Sequence, residues 1–209
     1  MMIELENVLP ADIEKRSFEI IASELPHPLD PALAPIIKRV IHTTADFDYA
    51  DSLCFSPGVV GKALDALGAG VTIVTDTNMG LAGINKGALQ SLGAKAVCFM
   101  ADVNVAERAK RNGTTRAAAA MDQAAALPGP LIFAIGNAPT ALIRLYERIE
   151  EGSLSPELII GVPVGFVNVV QAKELILHAD VPYIVARGRK GGSNVAAAIV
   201  NALMYMMTR

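Results

Sequence analysis

VTIVTDTNMG, residues 71–80, passes from five β-branched residues to a stretch that is small or polar except for Met79, with no transition. The first half, 71–75, predicts a strand covered on both faces rather than one lying on a wet surface. The second half, Asp76 to Gly80, leads into a helical pattern over 81–92. Strand, polar turn and helix in that order form the repeating unit of a parallel α/β sheet.

The unit recurs along the chain. Short apolar runs at 96–100 (AVCFM), 131–135 (LIFAI), 158–162 (LIIGV) and 183–186 (YIVA) are each followed by a helical stretch. These stretches cover 103–126 with a break near Gly113, then 139–150, 167–179 and 194–207. Five such units predict a right-handed, doubly wound sheet. Upstream, helices are expected at 11–24, 31–43 and 57–67, forming an N-terminal helical extension. Asp12 and Glu14 suit the positive end of the first helix, and Pro35 fits the first turn of the second. No linker, low-complexity tract or internal repeat interrupts the chain, so residues 1–209 are expected to form a single domain.

The composition fits that size and class. At 209 residues the chain can bury one sizeable core. Hydrophobic residues make up 52 % and aromatic ones 5 %, so the core must come from Ala, Val, Ile and Leu. The net charge of −3 gives no general basic field, which argues against nucleic-acid binding but leaves room for a local cationic pocket. No apolar run approaches a membrane span. The opening MMIELENVLP carries acids and no apolar leader core, so a cytoplasmic protein is expected. Cys54 and Cys98 stand alone and read as small buried residues, not as a disulfide or zinc pair.

The residues just after each run carry the functional information, because ligands of doubly wound sheets bind beyond the carboxyl ends of the strands. After 131–135 comes Gly136-Asn137-Ala138-Pro139. After 158–162 comes Pro163-Val164-Gly165-Phe166. After 183–186 comes Arg187-Gly188-Arg189-Lys190-Gly191-Gly192-Ser193-Asn194. That last stretch sets three glycines beside three cations just before a helix, as an anion site would. It also reads as a plain strand-to-helix turn with a Ser or Asn cap. It has neither the phosphate-loop spacing nor the dinucleotide one.

Of three histidines, His27 lies between prolines and His178 near a helix C-terminus, where structure explains it. His42 follows Arg39 by three residues on one helix face and precedes Thr43-Thr44-Ala45-Asp46. Imidazole is the side chain best matched to proton transfer near neutral pH. Asp46, Asp48 and Asp51 lack the pattern of a calcium loop, and no spacing suggests three or four metal ligands. No protein-bound metal is expected.

Seven segments resemble the precorrin-8X and cobalt-precorrin-8 methylmutase family. They are RSFEII (16–21), KRVIHTTADFDYAD (38–51), TDTNMGLAGINK (75–86), TTRAAAAMD (114–122), IGNAPTAL (135–142), GVPVGFVNVVQAKE (161–174) and GRKGGSNVAAAIVNAL (188–203). TTADFDYA and RKGGSNVAAAIVNAL look more like the cobalt-dependent branch. The resemblance implies a three-layer α/β/α fold, flavodoxin-like, with a five-stranded parallel sheet in the order 2-1-3-4-5. It also implies a homodimer and an isomerase. The implied reaction moves a methyl group from carbon 11 to carbon 12, at ring C of a polycarboxylate tetrapyrrole. The product is cobyrinic acid, or hydrogenobyrinic acid in the metal-free branch. No organic cofactor is implied; cobalt would arrive inside the substrate.

The family's proton-handling histidine falls on His42, and its substrate-contacting positions on Ser17 and Arg39. Thr43, Asn78, Arg116, Asn137, Arg189, Lys190, Gly191, Gly192 and Ser193 are expected to complete the substrate site. Arg39, Arg116, Arg189 and Lys190 would hold carboxylates. VNVVQAKE stands where VGAAESKE is more usual, on an expected helix. The rival readings are a non-catalytic corrinoid carrier, a phosphate or nucleotide enzyme using 187–194 as its nest, and a ligand-free structural module.

Overall fold

In the computed structural model, which describes residues 5–209, every strand of the central sheet sends alternate side chains into opposite layers. Residues 1–4, part of the stretch read for a leader, lie outside the described residues. The strands are β1 (Leu53–Phe55), β2 (Thr72–Thr75), β3 (Lys95–Val97), β4 (Leu131–Ile135), β5 (Leu158–Gly161) and β6 (Tyr183–Ala186). Ile73, Ile132, Ala134, Ile160 and Ile184 face one apolar layer. Val74, Leu131, Phe133, Ile135, Ile159 and Val185 face the other. This double burial is why the runs show no polar alternation.

The sheet order is β1-β6-β5-β4-β2-β3. Strands β2 to β6 are parallel, whereas β1 runs antiparallel against β6, pairing Leu53 with Ala186 and Phe55 with Ile184. The expected five-stranded, all-parallel sheet is therefore corrected to a six-stranded mixed one. The sixth strand was invisible because three residues, LCF, carry no period. It covers the edge of β6 that would otherwise stand open.

The first layer holds α1 (Ile13–Glu24, after a 3-10 turn at Pro10–Asp12), α2 (Ala34–Thr44), α4 (Val59–Gly68), α5 (Asn78–Gly83), α6 (Lys86–Ser91) and α11 (Ser193–Thr208), with α3 (Tyr49–Ser52) just before β1. The second holds α7 (Val103–Asn112), α8 (Arg116–Ala125), α9 (Pro139–Glu150) and α10 (Val169–His178). The break at Gly113 is present, at a positive φ of 62°. The helix expected over 81–92 is instead two short ones. Thr77 caps α5 and Asn85 caps α6. Asn201 of α11 bonds both sides of the break, accepting from the Asn85 N–H at 2.8 Å and donating to the Gly83 carbonyl at 2.9 Å. A side chain 116 residues away thus satisfies backbone groups that a continuous helix would have paired itself. Among the described residues no helix is long and apolar enough to cross a membrane.

Candidate functional site at the carboxyl edge of the sheet

Strand β2 is followed directly by Asp76, which is buried at 1 % exposure. Its carboxylate accepts the N–H groups of Gly136, Asn137 and Ala138 at 2.9, 2.8 and 2.6 Å. Burial pushes Asp76 above the usual carboxylate range, and the three N–H groups pull it back only in part. The carboxylate is the knot that ties the turn after β4 to the end of β2. Asn137 and Asn78 both stand exposed beside it.

The glycine-rich turn after β6 presses against these two loops. A Cβ on Gly136 would lie 2.6 Å from the Ser193 Cα, and one on Gly191 only 2.1 Å from the Val162 carbonyl oxygen. The Gly192 N–H donates to that same oxygen at 2.9 Å. The Ser193 hydroxyl shares a 2.7 Å hydrogen bond with Thr77, so it is already engaged. Gly191→Ala is expected to destabilise the fold by about 1–3 kcal/mol, because a backbone clash cannot relax by a rotamer change. Thermal melting would read this; a variant melting like wild type would show that the turn can move freely.

Behind the turn lies Lys173, fully buried on α10, with Nζ donating to the Gly188 and Lys190 carbonyls at 2.8 and 2.7 Å. Burial alone lowers its pKa to about 8.

Helix α2 carries the second group of residues. Ala45, at a positive φ of 53°, ends it by donating its N–H to the Ile41 carbonyl. His42 is exposed in the last turn. Its ring lies 5.3 Å from that of Phe18 on α1 and opens on a hollow of about 340 Å³ lined by Ser17, Ile20, Ile21, Glu24 and Phe47. The Ser17 and Thr43 hydroxyls each donate to a backbone carbonyl of their own helix, at 2.9 Å. Arg39 is ion-paired with Glu14, its guanidinium 4.7 Å from the Phe18 ring and 5.2 Å from that of Tyr205.

Strand β1 joins the two groups. Because it runs against β6, the segment leading into it from α2 arrives at the carboxyl edge of the sheet. There Lys190 reaches Asp46 and Asp48 at 2.6 Å each. Lys190 donation holds Asp46 below the usual carboxylate range, and both aspartates raise Lys190. The tie is therefore complete above the ordinary Asp value of about 3.9 and is lost as pH falls through the lower folded value. Carboxyl carbon NMR is expected to show Asp46 titrating low in wild type and normally in Lys190→Ala. An unchanged midpoint in the variant would refute the tie.

Of the expected substrate residues, Asn78, Asn137, Gly191, Gly192 and Ser193 meet at one edge. Arg116 joins that edge, its guanidinium 3.4 Å from the Met100 carbonyl beyond β3, and Arg189 lies 5.4 Å from the Phe166 ring. Ser17, Arg39, His42 and Thr43 sit apart on α1 and α2, connected through Lys190. No residue of the glycine-rich turn lines the hollow beside His42. Arg39 and Lys190, expected as free carboxylate binders, already face acids. Sequence reading missed the roles of Asp76, Lys173 and the Asp46–Asp48 pair. A lone acid directly after an all-β-branched run was a usable signal for Asp76; the other two needed the tertiary structure. Among the described residues no three His, Cys, Asp or Glu side chains converge as metal ligands.

An α/β sheet with polar and glycine-rich loops gathered at its carboxyl edge defines a ligand-binding scaffold. Comparison makes the class specific. The Precorrin-8X methylmutase family model matches residues 12–206, so the chain belongs to that family. It is 45 % identical to the cobalt-precorrin-8 methylmutase of Salmonella typhimurium, covering 94 % of this chain and 95 % of that one. It is 43 % identical to that of Priestia megaterium, covering 95 % and 89 %. Identity to the precorrin-8X methylmutase of Pseudomonas aeruginosa is 40 %, covering 91 % and 93 %. The crystal structure of precorrin-8x methyl mutase from Thermus thermophilus superposes with a TM-score of 0.86 at 41 % identity, covering 94 % of this chain and 98 % of that one.

Proposed function

We propose that the chain is an isomerase of cobalamin biosynthesis. It moves a methyl group from carbon 11 to carbon 12, at ring C of cobalt-precorrin-8, and releases cobyrinic acid. The observation that carries the reading is an exposed imidazole, His42, held beside a hollow and tied by way of Asp46 and Lys190 to a glycine-rich turn. The rearrangement is internal, so the protein need not supply a nucleophile. It must fix one tautomer of the ring and control one proton. His42 shares that proton with the ring C nitrogen.

The hollow is at the small end of the usual ligand range of about 300–1,000 Å³, so it takes one rim of the macrocycle. The carboxylate fringe then lies along the carboxyl edge, where Arg116, Arg189 and free N–H groups receive it. Asn78, Asn137, Thr43 and Ser17 border the same path. Arg39 acts from behind, orienting Phe18 and Glu14, or exchanges Glu14 for a substrate carboxylate. No organic cofactor takes part, and cobalt enters only as part of the substrate. The enzyme acts in the cytoplasm as a homodimer, which would cover the exposed Phe166 and Val167.

Mixing purified protein with cobalt-precorrin-8 and, separately, with metal-free precorrin-8X tests the proposal. Methyl migration changes ring conjugation, so conversion appears as a spectral change. Faster conversion of the cobalt form supports the reading. Faster conversion of the metal-free form would move the enzyme to the other branch. Binding without conversion would make it a carrier.

A further inference from the structure

We propose that Lys173 is a positioning residue, a buried ammonium that turns the N–H groups of Arg189 and Gly191 outward to receive one substrate carboxylate. The inference rests on the reading of the 187–193 turn as part of the substrate site.

Lys173 is fully buried, and no carboxylate partners it among the described residues. An unpaired buried charge is costly, and the two carbonyls Lys173 satisfies could be paired by a neutral donor without that cost. Its Nζ reaches out of α10 to two alternate carbonyls of the turn, those of Gly188 and Lys190. The carbonyl between them, that of Arg189, points elsewhere and accepts the Gly165 N–H at 3.2 Å.

Peptide planarity makes the consequence definite. No cis bond is present among the described residues, so each C=O there is antiparallel to the N–H of the next residue. Carbonyls 188 and 190 aimed at Nζ force N–H groups 189 and 191 to point away from it. Neither N–H has an acceptor among the described residues. The ammonium also polarises both peptides, strengthening their outward donors. The cation is kept out of water while its effect is delivered at the surface by two amides at fixed spacing. A free Lys at the same edge would bind a carboxylate with less directional control.

Hydrogenobyrinic acid, the metal-free product, is a suitable probe, together with an analogue whose carboxylates are amidated. In wild type, the Gly191 amide proton is expected to move downfield on saturation with the acid and not with the amide. Lys173→Met is expected to bind the acid about 10- to 100-fold more weakly, as the loss of one or two charge-assisted bonds predicts. Its discrimination between acid and amide should shrink by the same factor. A merely structural role would weaken both ligands alike. Lys173→Gln, which keeps a neutral N–H donor group without the charge, should recover part of the discrimination.

Equal discrimination in wild type and variant, or a Gly191 resonance that ignores the acid, would overturn the role of Lys173. If wild type itself did not distinguish acid from amide, the turn would not be a carboxylate site, and the underlying reading would fail instead. The resonance test uses wild-type protein, so the proposal can be overturned even where a variant does not fold.

Discussion

His42→Ala is expected to bind product as wild type does but to convert cobalt-precorrin-8 about 10²–10⁴-fold more slowly, the usual contribution of a positioned acid or base. Its imidazole is exposed on the last turn of α2, so deleting it leaves no cavity in the core. Phe18 packs against the ring at a tilt of 56°, and the ring also borders the hollow. No internal acceptor fixes either nitrogen among the described residues, which leaves both for a ligand. Single-turnover spectroscopy separates binding from migration. Undiminished turnover would remove His42 from the chemistry, and lost product affinity with unchanged turnover would make it a contact residue.

Asp76→Ala should cost about 3–5 kcal/mol of stability, and so lower Tm by roughly 6–20 °C. One carboxylate satisfies three consecutive N–H groups, and water reaches that knot poorly. Removing it strands donors in a region where each would otherwise be paired. Asp76→Asn should recover only part of the loss, because its amide nitrogen meets N–H groups that cannot accept from it. Calorimetry of both variants reads the difference. An alanine variant as stable as wild type would mean that the turn after β4 holds itself.

Much of this architecture was legible because it is local. Double burial leaves unbroken runs such as LIFAI, and each run carries its turn and helix behind it. Gly113 and Pro35 mark a helix end and a helix start through backbone constraints that act within a few residues. What escaped depends on distant partners. The split near Asn85 exists because Asn201 satisfies the freed backbone groups. Strand β1 exists because β6 offers it an edge. The candidate site divides the same way. The glycine-rich turn and His42 stand out by residue type, whereas the tie from Lys190 to Asp46 and Asp48 spans more than 140 residues and has no pattern of its own. Lys173 reads from sequence as one more helix lysine; only its burial sets it apart.

The reversed strand at the sheet's margin also acts as a ruler. With Leu53 anchored opposite Ala186, the stretch from Ala45 to Ser52 sets how far the imidazole stands from the carboxyl edge. One residue inserted there would add up to about 3.3–3.6 Å of slack, which exceeds the whole reach of a proton transfer across a hydrogen bond. Length in that short tether is therefore under geometric control in addition to the two aspartates it carries. Engineering that respaced it would retune how proton delivery and ring docking coincide without altering a single contact group.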